Sequence, residues 1–245
     1  MTNEHVLIVG GTKGAGRAAV RLYQSAGHKV SVIARRRPAT SDQSNVRYWT
    51  ADILDAEAIC RALKEIWQEA GSLGSVLFFQ RFRGQTDDWT GEIETSLTAT
   101  KRIIDLLVNE FDWRNGSIVI VSSINAKYIS KHLPLSYHIG KAGLNQMVRY
   151  YAVALGPRGI RINSVSPGTF LKEESKEFFL KNKELHNLYL KMIPLGRMCT
   201  AEEVVQTVEF LGSHKAGFVT GQDIVVDGGL TLMFQEALVR EVTGA

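Results

Sequence analysis

The chain has few of the residues that build covalent or metal-held scaffolds: two cysteines and five prolines in 245 residues. Cys60 and Cys199 form no metal-ligand spacing, so a disulfide framework is excluded and no metal site is expected. Each reads as a packed or incidental thiol. Long hydrophobic runs are also missing. Runs such as Ile118–Val121 fall far short of the roughly 20 apolar residues of a membrane-spanning helix. Met1-Thr2-Asn3-Glu4 leads straight into Val6-Leu7-Ile8-Val9, without the basic start, apolar stretch and cleavage site of a secretory signal. A cytoplasmic address and no membrane partner are expected. Charge of one sign is scarce: 29 Lys and Arg stand against 25 Asp and Glu. Arg35-Arg36-Arg37 is the one dense basic cluster. A broad basic face with interleaved aromatics is lacking, so nucleic acid is not expected as a partner. The cluster is either a solvated turn or a seat for a small anion.

What is present is an ordinary globular composition, 44% hydrophobic and 22% charged, which excludes wholesale disorder. Short apolar runs alternate with amphipathic stretches of helix length. The runs are Val6–Val9, Lys29–Ala34, Arg47–Thr50, Val76–Phe79, Ser117–Val121, Arg161–Val165 and Asp223–Val226. Helical stretches are expected over Arg17–Ser25, Asp55–Ala70, Ile93–Glu110 and Tyr137–Leu155. Runs apolar on consecutive residues are buried on both faces, as in parallel sheets covered by helices. The alternation predicts one doubly wound α/β domain over residues 1–245. Lys172–Met192 breaks the rhythm. It is charged and helical, which suggests a surface lid over about 169–195.

Gly10-Gly11-Thr12-Lys13-Gly14-Ala15-Gly16 follows the first run and opens the first helix. Glycines at 10, 14 and 16 let backbone approach a ligand closely, and the helix start turns free N–H groups toward an anion such as a pyrophosphate. The Walker pattern fails, since no Gly-Lys-Ser/Thr closes the loop. After the second run, an acidic residue would bind a ribose 2′-hydroxyl and a basic one a 2′-phosphate. Arg35 and Arg36 stand there with no acid near, and Lys13 adds charge in the loop. NADP(H) is therefore expected over NAD(H). Asp52 is placed either to bond the adenine or to cap the following helix.

Tyr137-His138-Ile139-Gly140-Lys141 puts Tyr137 and Lys141 four residues apart, on one helix face. An ammonium beside a phenol favours the phenolate, and such a Tyr can exchange a proton with a carbonyl or alcohol oxygen. Fourteen residues upstream, Ser123 ends the Ser117–Val121 run, where its hydroxyl could bond a substrate oxygen.

With these residues in order, the chain resembles the short-chain dehydrogenase/reductase family over nearly its whole length. The glycine loop, Asp52, Ser123, Tyr137 and Lys141 keep the family's spacing. So do Arg158–Gly168, Pro194–Arg197 and Phe218–Gly229. The resemblance implies a single-domain Rossmann fold with a seven-stranded parallel sheet and helices on both faces. It implies a small-molecule carbonyl or alcohol substrate and a homo-oligomer, a dimer or tetramer. The activity implied is that of a carbonyl reductase or alcohol dehydrogenase, of which a 3-oxoacyl reductase is one form. Tyr137 becomes the general acid/base, Lys141 its partner on the nicotinamide ribose, and Ser123 the group that polarises the carbonyl. Gly10, Thr12, Lys13, Gly14, Ala15 and Gly16 become the phosphate loop. Ile53 and Gln80 are placed beside the cofactor with Asp52. Pro167, Gly168 and Thr169 flank the nicotinamide end, with Ile193 nearby.

Two features depart from the family. Its fourth strand ends in Asn-Asn-Ala-Gly, whereas this chain has Phe79-Gln80-Arg81-Phe82. Its relay Asn on the next helix is matched by Ser96, which is therefore counted with the catalytic set. Serine can still bond water, but with shorter reach. Arg81 and Arg83 are either solvated loop arginines or contacts for an acidic substrate or a cofactor phosphate. These departures keep an alternative open: a dinucleotide-binding sensor or scaffold with little or no turnover. Substrate choice is expected to lie in Lys172–Met192, with Phe178, Phe179 and Tyr189, and in Gln80–Thr90. Helices Ile93–Glu110 and Tyr137–Leu155 carry more apolar residues than one buried face needs, which fits packing against a second copy.

Overall fold

The computed structural model describes residues 4–38, 45–84 and 88–243. Seven strands form one parallel sheet: β1 (His5–Val9), β2 (Lys29–Ala34), β3 (Val46–Thr50), β4 (Ser75–Phe78), β5 (Ser117–Val121), β6 (Arg161–Pro167) and β9 (Asp223–Val226). Their order across the sheet is β3-β2-β1-β4-β5-β6-β9. This is the single Rossmann-like domain that the alternation predicts. A two-stranded parallel ribbon joins β7 (Phe170–Leu171) to β8 (Cys199–Thr200).

Each central strand is buried on both sides, and alternate residues feed two cores. Leu7, Val9, Val76, Phe78, Ile118 and Ile120 face one core. There they meet α2 (Ala56–Ala70), α4 (Ala99–Asn109) and α5 (Leu135–Leu155). Val6, Ile8, Val32, Leu77 and Val119 face the other, against α1 (Gly14–Ser25) and α8 (Ala201–Gly212). Each fully buried aliphatic side chain contributes roughly 1.5–3 kcal/mol, so the two layers together fix the strand register.

The sheet runs outward in opposite senses from β1 and β4, and such a reversal opens a crevice at the strands' C-terminal ends. The loops carrying Gly10 and Gln80 meet there. A Cβ on Gly10, whose φ is +87°, would stand 2.7 Å from the Gln80 backbone nitrogen. A Cβ on Gly16 would stand 2.2 Å from the Gly10 carbonyl oxygen. Only glycine lets the first strand turn into the first helix this tightly.

The expected helix over Ile93–Glu110 starts earlier and is not uniform. Asp88 accepts a hydrogen bond from the Gly91 N–H at 2.8 Å and starts α3 (Trp89–Ile93). A π-helical turn over Glu94–Thr98 then leads into α4. Single π turns inside helices are frequent at functional sites. The charged segment Lys172–Met192 carries α6 (Lys176–Lys181) and α7 (Lys183–Met192), and α9 (Gln235–Thr243) ends the described chain. Phe179, Ile193 and Met198 form a small core of their own there, with Tyr189 packed on it. The apolar excess on α4 proves to be internal, since Ile103, Ile104 and Leu107 are all buried in this chain. On α5, Tyr150 and Val153 remain 67% and 81% exposed. No helix among the described residues is long and apolar enough to cross a membrane.

Candidate active site

A cavity of about 710 Å³ opens over the C-terminal ends of the first four strands. Gly10, Thr12 and Lys13 after β1 line it, as do Arg35 and Arg36 after β2, Asp52 and Ile53 after β3, and Gln80 and Arg81 after β4. Four loops thus bring together eight residues that the sequence assigns to a cofactor. Gly14, Ala15 and Gly16 form the first turn of α1 behind this lining. Asp52 accepts a hydrogen bond from the Leu54 N–H at 3.0 Å. The α2 cap is Asp55, bonded to the Ala58 N–H at 3.0 Å, so Asp52 is not the helix cap. Gln80 donates from Nε2 to Thr100 Oγ1 at 2.7 Å. Its Oε1 is buried and has no donor in the structure.

Tyr137 and Lys141 stand one turn apart on α5, with the Lys141 Nζ 5.6 Å from the Tyr137 ring centre. The Arg81 guanidinium lies 5.3 Å from the same ring centre. Arg81 therefore reaches from the cavity wall to the tyrosine. Lys141 is buried and donates from Nζ to the Val121 carbonyl at 3.2 Å. Burial pushes its amine down to about 8; Arg81 and Lys172 act in the same direction and Glu92 opposes them.

Ser123 is buried at the end of β5 and caps the short turn Ile124–Ala126, which packs on α5. Its Oγ accepts from the Asn125 N–H at 3.2 Å. Ser122 is bonded away from the site, donating to the Lys141 carbonyl at 3.3 Å. Ser96 is buried in the π-helical turn and donates to Glu92 Oε1 at 2.5 Å. Pro167 ends β6, and the Gly168 N–H donates to the Val226 carbonyl at 3.0 Å. Thr169 is exposed, 3.5 Å from the Tyr189 hydroxyl. These three lie outside the lining of the cavity, as do Ser96, Ser123, Tyr137 and Lys141.

The sequence reading does not name Glu92 or Glu174. Glu92 and Ser96 are four residues apart on one helical stretch, which is the signal that could have paired them. Glu174 lies 160 residues from its partner Gly14, and no local pattern reports such a contact. Within Gln80–Thr90, residues 85–87 lie outside the described residues.

A family model described as enoyl-(acyl carrier protein) reductase matches residues 9–231. The chain belongs to the short-chain dehydrogenase/reductase family. Among its relatives is the 3-oxoacyl-(acyl-carrier-protein) reductase FabG of Aquifex aeolicus, 30% identical over 91% of this chain and 96% of that one. Glucose 1-dehydrogenase 2 of Bacillus subtilis is 26% identical over 95% of this chain and 96% of its own. A short-chain dehydrogenase family protein from Francisella tularensis has a solved structure that superposes with a TM-score of 0.80. It is 26% identical, over 94% of this chain and 99% of the other. Relatives named for an acyl thioester and for a sugar match about equally well, so membership of this family fixes oxidoreductase chemistry and leaves the substrate open.

Proposed function

We propose that this chain is an NADP(H)-dependent oxidoreductase that interconverts a carbonyl and an alcohol, with Ser123, Tyr137 and Lys141 as its catalytic set. The observation that carries the reading is Arg81, which lines the same cavity as the glycine loop, Arg35 and Arg36 and whose guanidinium lies over the Tyr137 ring.

The residues present fit a dinucleotide. Gly10 and Gly16 permit the tight strand-to-helix turn that a Cβ would block, and Gln80 Oε1 is a buried acceptor without a donor. Lys13, Arg35 and Arg36 would hold a 2′-phosphate by charge-assisted hydrogen bonds. Asp52 and Ile53 would border the adenine, and the N–H groups of Gly14 and Ala15 would meet the phosphates. Lys141 would bond the nicotinamide ribose. Pro167, Gly168 and Thr169 would border the nicotinamide end once residues 169–195 close as a lid. When bound, the nicotinamide supplies or takes up the hydride.

This chain's own groups manage the proton. Tyr137 gives its hydroxyl proton to the carbonyl oxygen, or takes one from the alcohol. Lys141 and Arg81, both near the ring, stabilise the negative charge left on the Tyr137 oxygen. Ser123 Oγ donates to the same substrate oxygen and orients it. Consumption of NADPH against a panel of aldehydes, ketones and 3-oxo esters tests the reading. Dependence of turnover on Tyr137 supports it. Tight NADPH binding with no oxidation by any member of the panel would instead mark a sensor.

A further inference from the structure

Burying a carboxylate costs several kcal/mol unless a hydrogen bond and an opposite charge compensate it. Glu92 on α3 is only 3% exposed. Ser96 supplies the hydrogen bond, donating from Oγ to Glu92 Oε1 at 2.5 Å. The space for the carboxylate comes from α5. A Cβ on Gly140 would stand 2.9 Å from that same Oε1 and 3.1 Å from the Glu92 Cγ. Gly140 has an ordinary negative φ within a helix, so the backbone does not need glycine there. The absent side chain makes room for Glu92, one residue before Lys141.

Lys141, the next residue along α5 and itself 3% exposed, makes no direct ion pair with Glu92 but lies within reach of its charge. The groups that face it come from five elements. Tyr137 lies on its own helix at 5.6 Å from Nζ to ring centre, and the Val121 carbonyl on β5 accepts a hydrogen bond from Nζ at 3.2 Å. Arg81 after β4 and Lys172 after β7 repel it, and Glu92 on α3 attracts it. Among these, Glu92 is the one anion.

We propose that Glu92 is a positioning residue of the catalytic set: seated by Ser96 and admitted by Gly140, its carboxylate keeps the buried Lys141 amine charged beside Tyr137. This rests on the oxidoreductase reading above. It also gives Ser96 a defined role where the family has an amide. Ser96 holds the acid that holds the lysine, and its hydroxyl is already committed to that bond. Burial and two neighbouring cations already bring Lys141 down to about 8. Losing the only opposing charge would carry it toward the neutral amine at neutral pH, and a neutral amine no longer supports the charge Tyr137 acquires.

The test is a side-chain NMR titration of Lys141 in the full-length protein, assigned with Lys141→Arg, in wild type and in Glu92→Gln. The amide keeps the shape of the side chain and an acceptor for Ser96, so a packing role alone leaves the lysine midpoint where it was. The expected result is a lower midpoint in Glu92→Gln, the direction that removal of an opposite charge produces. The alkaline limb of NADPH-dependent turnover should move with it. Should Glu92→Gln fail to fold, Gly140→Ala, which presses a methyl group on the carboxylate, is expected to shift the midpoint in the same sense. An unmoved midpoint in a folded variant of an active enzyme overturns the role of Glu92 and leaves the oxidoreductase reading intact. A wild-type protein that turns over no carbonyl of the panel overturns both, whatever the lysine does.

Discussion

The carboxylate of Glu174 accepts a hydrogen bond from the backbone N–H of Gly14 at 3.2 Å, so the segment after β7 rests on the glycine loop. Arg17 Nη2 donates to the same Glu174 oxygen at 3.0 Å. Glu173 is gripped by Arg17 and by Arg21, the latter at 2.7 Å. Burial works against the Glu174 charge, but the N–H groups of Glu174 itself and of Gly14, with the Arg17 charge, win and hold its carboxyl below the ordinary range. The start of α1 attracts anions through its free N–H groups and dipole. The Glu174 carboxylate thus sits where a cofactor phosphate is proposed to bind.

The two anions compete, which gives the first prediction. Exposed ion pairs of this kind are worth about 0.2–1 kcal/mol, and 1 kcal/mol is roughly a fivefold change in affinity. The double variant Glu173→Gln, Glu174→Gln should bind NADPH about two- to fivefold more tightly than wild type in a fluorescence titration. Weaker binding would mean that the acids help to hold the cofactor, and the competition would be wrong.

Tyr137→Phe removes the proton donor and keeps the ring against which Arg81 and Lys141 stand. General acid catalysis typically contributes ~10²–10⁴-fold, so kcat should fall by about that factor while NADPH affinity barely moves. Full activity in Tyr137→Phe on a verified substrate would rule out the Ser-Tyr-Lys mechanism.

How far the sequence carries differs between backbone and site. Strands β2 and β5 coincide with the apolar runs Lys29–Ala34 and Ser117–Val121, because strands buried on both faces leave no polar alternation to blur their ends. Helix α8 is absent from the reading by runs, although Thr200 and Glu203 form a capping box at its start. Its apolar positions Val204, Val205, Val208 and Leu211 have helical spacing, so the signal was available. The clustering of Gly10, Arg35, Asp52 and Gln80 around one cavity was legible because its loops each follow a strand that can be placed. The Glu92–Gly140 and Glu174–Gly14 contacts were not, since each depends on how separate elements pack. The mixed helix around Ser96 was hidden for a related reason: a π turn keeps helical composition and changes only the phase.

Arg35 and Arg36 stand exposed at the cavity rim with Lys13, and no acid follows β2 within the described residues. Hydrogen bonds to charged groups contribute about 1.5–3 kcal/mol, so NADPH should bind more tightly than NADH by roughly 1–3 kcal/mol. Arg35→Ala together with Arg36→Ala should remove most of that preference and leave NADH affinity unchanged. Equal affinities in the wild type, measured by titration, would defeat the assignment.

The exposed apolar stripe on α5 predicts self-association. Tyr150 and Val153 sit 67% and 81% exposed on a helix whose opposite face is fully committed to the core. Light scattering at micromolar concentration should show a dimer or tetramer, and Val153→Glu should shift it toward monomer by placing a charge in a desolvated contact. A monomeric wild type would remove the stripe as an interface.

The last prediction concerns pH. Lys141 is a base whose folded value, about 8, lies below the ordinary lysine value of 10.5 because of burial and then the Arg81 and Lys172 charges. Below about pH 8 the folded protein holds the ammonium; above it the amine is neutral while an unfolded lysine would still be charged. Folding in that window releases a proton, so this group's contribution makes the fold more stable as pH rises from about 8 toward 10.5. Catalysis should run the other way. Reduction needs the ammonium beside Tyr137, so kcat should fall as pH rises through about 8 even while the melting temperature holds or climbs. The two trends separate loss of a charge from loss of the fold. A kcat that stays flat to pH 10 in a folded enzyme would mean that Lys141 keeps its proton throughout, or that turnover does not depend on it.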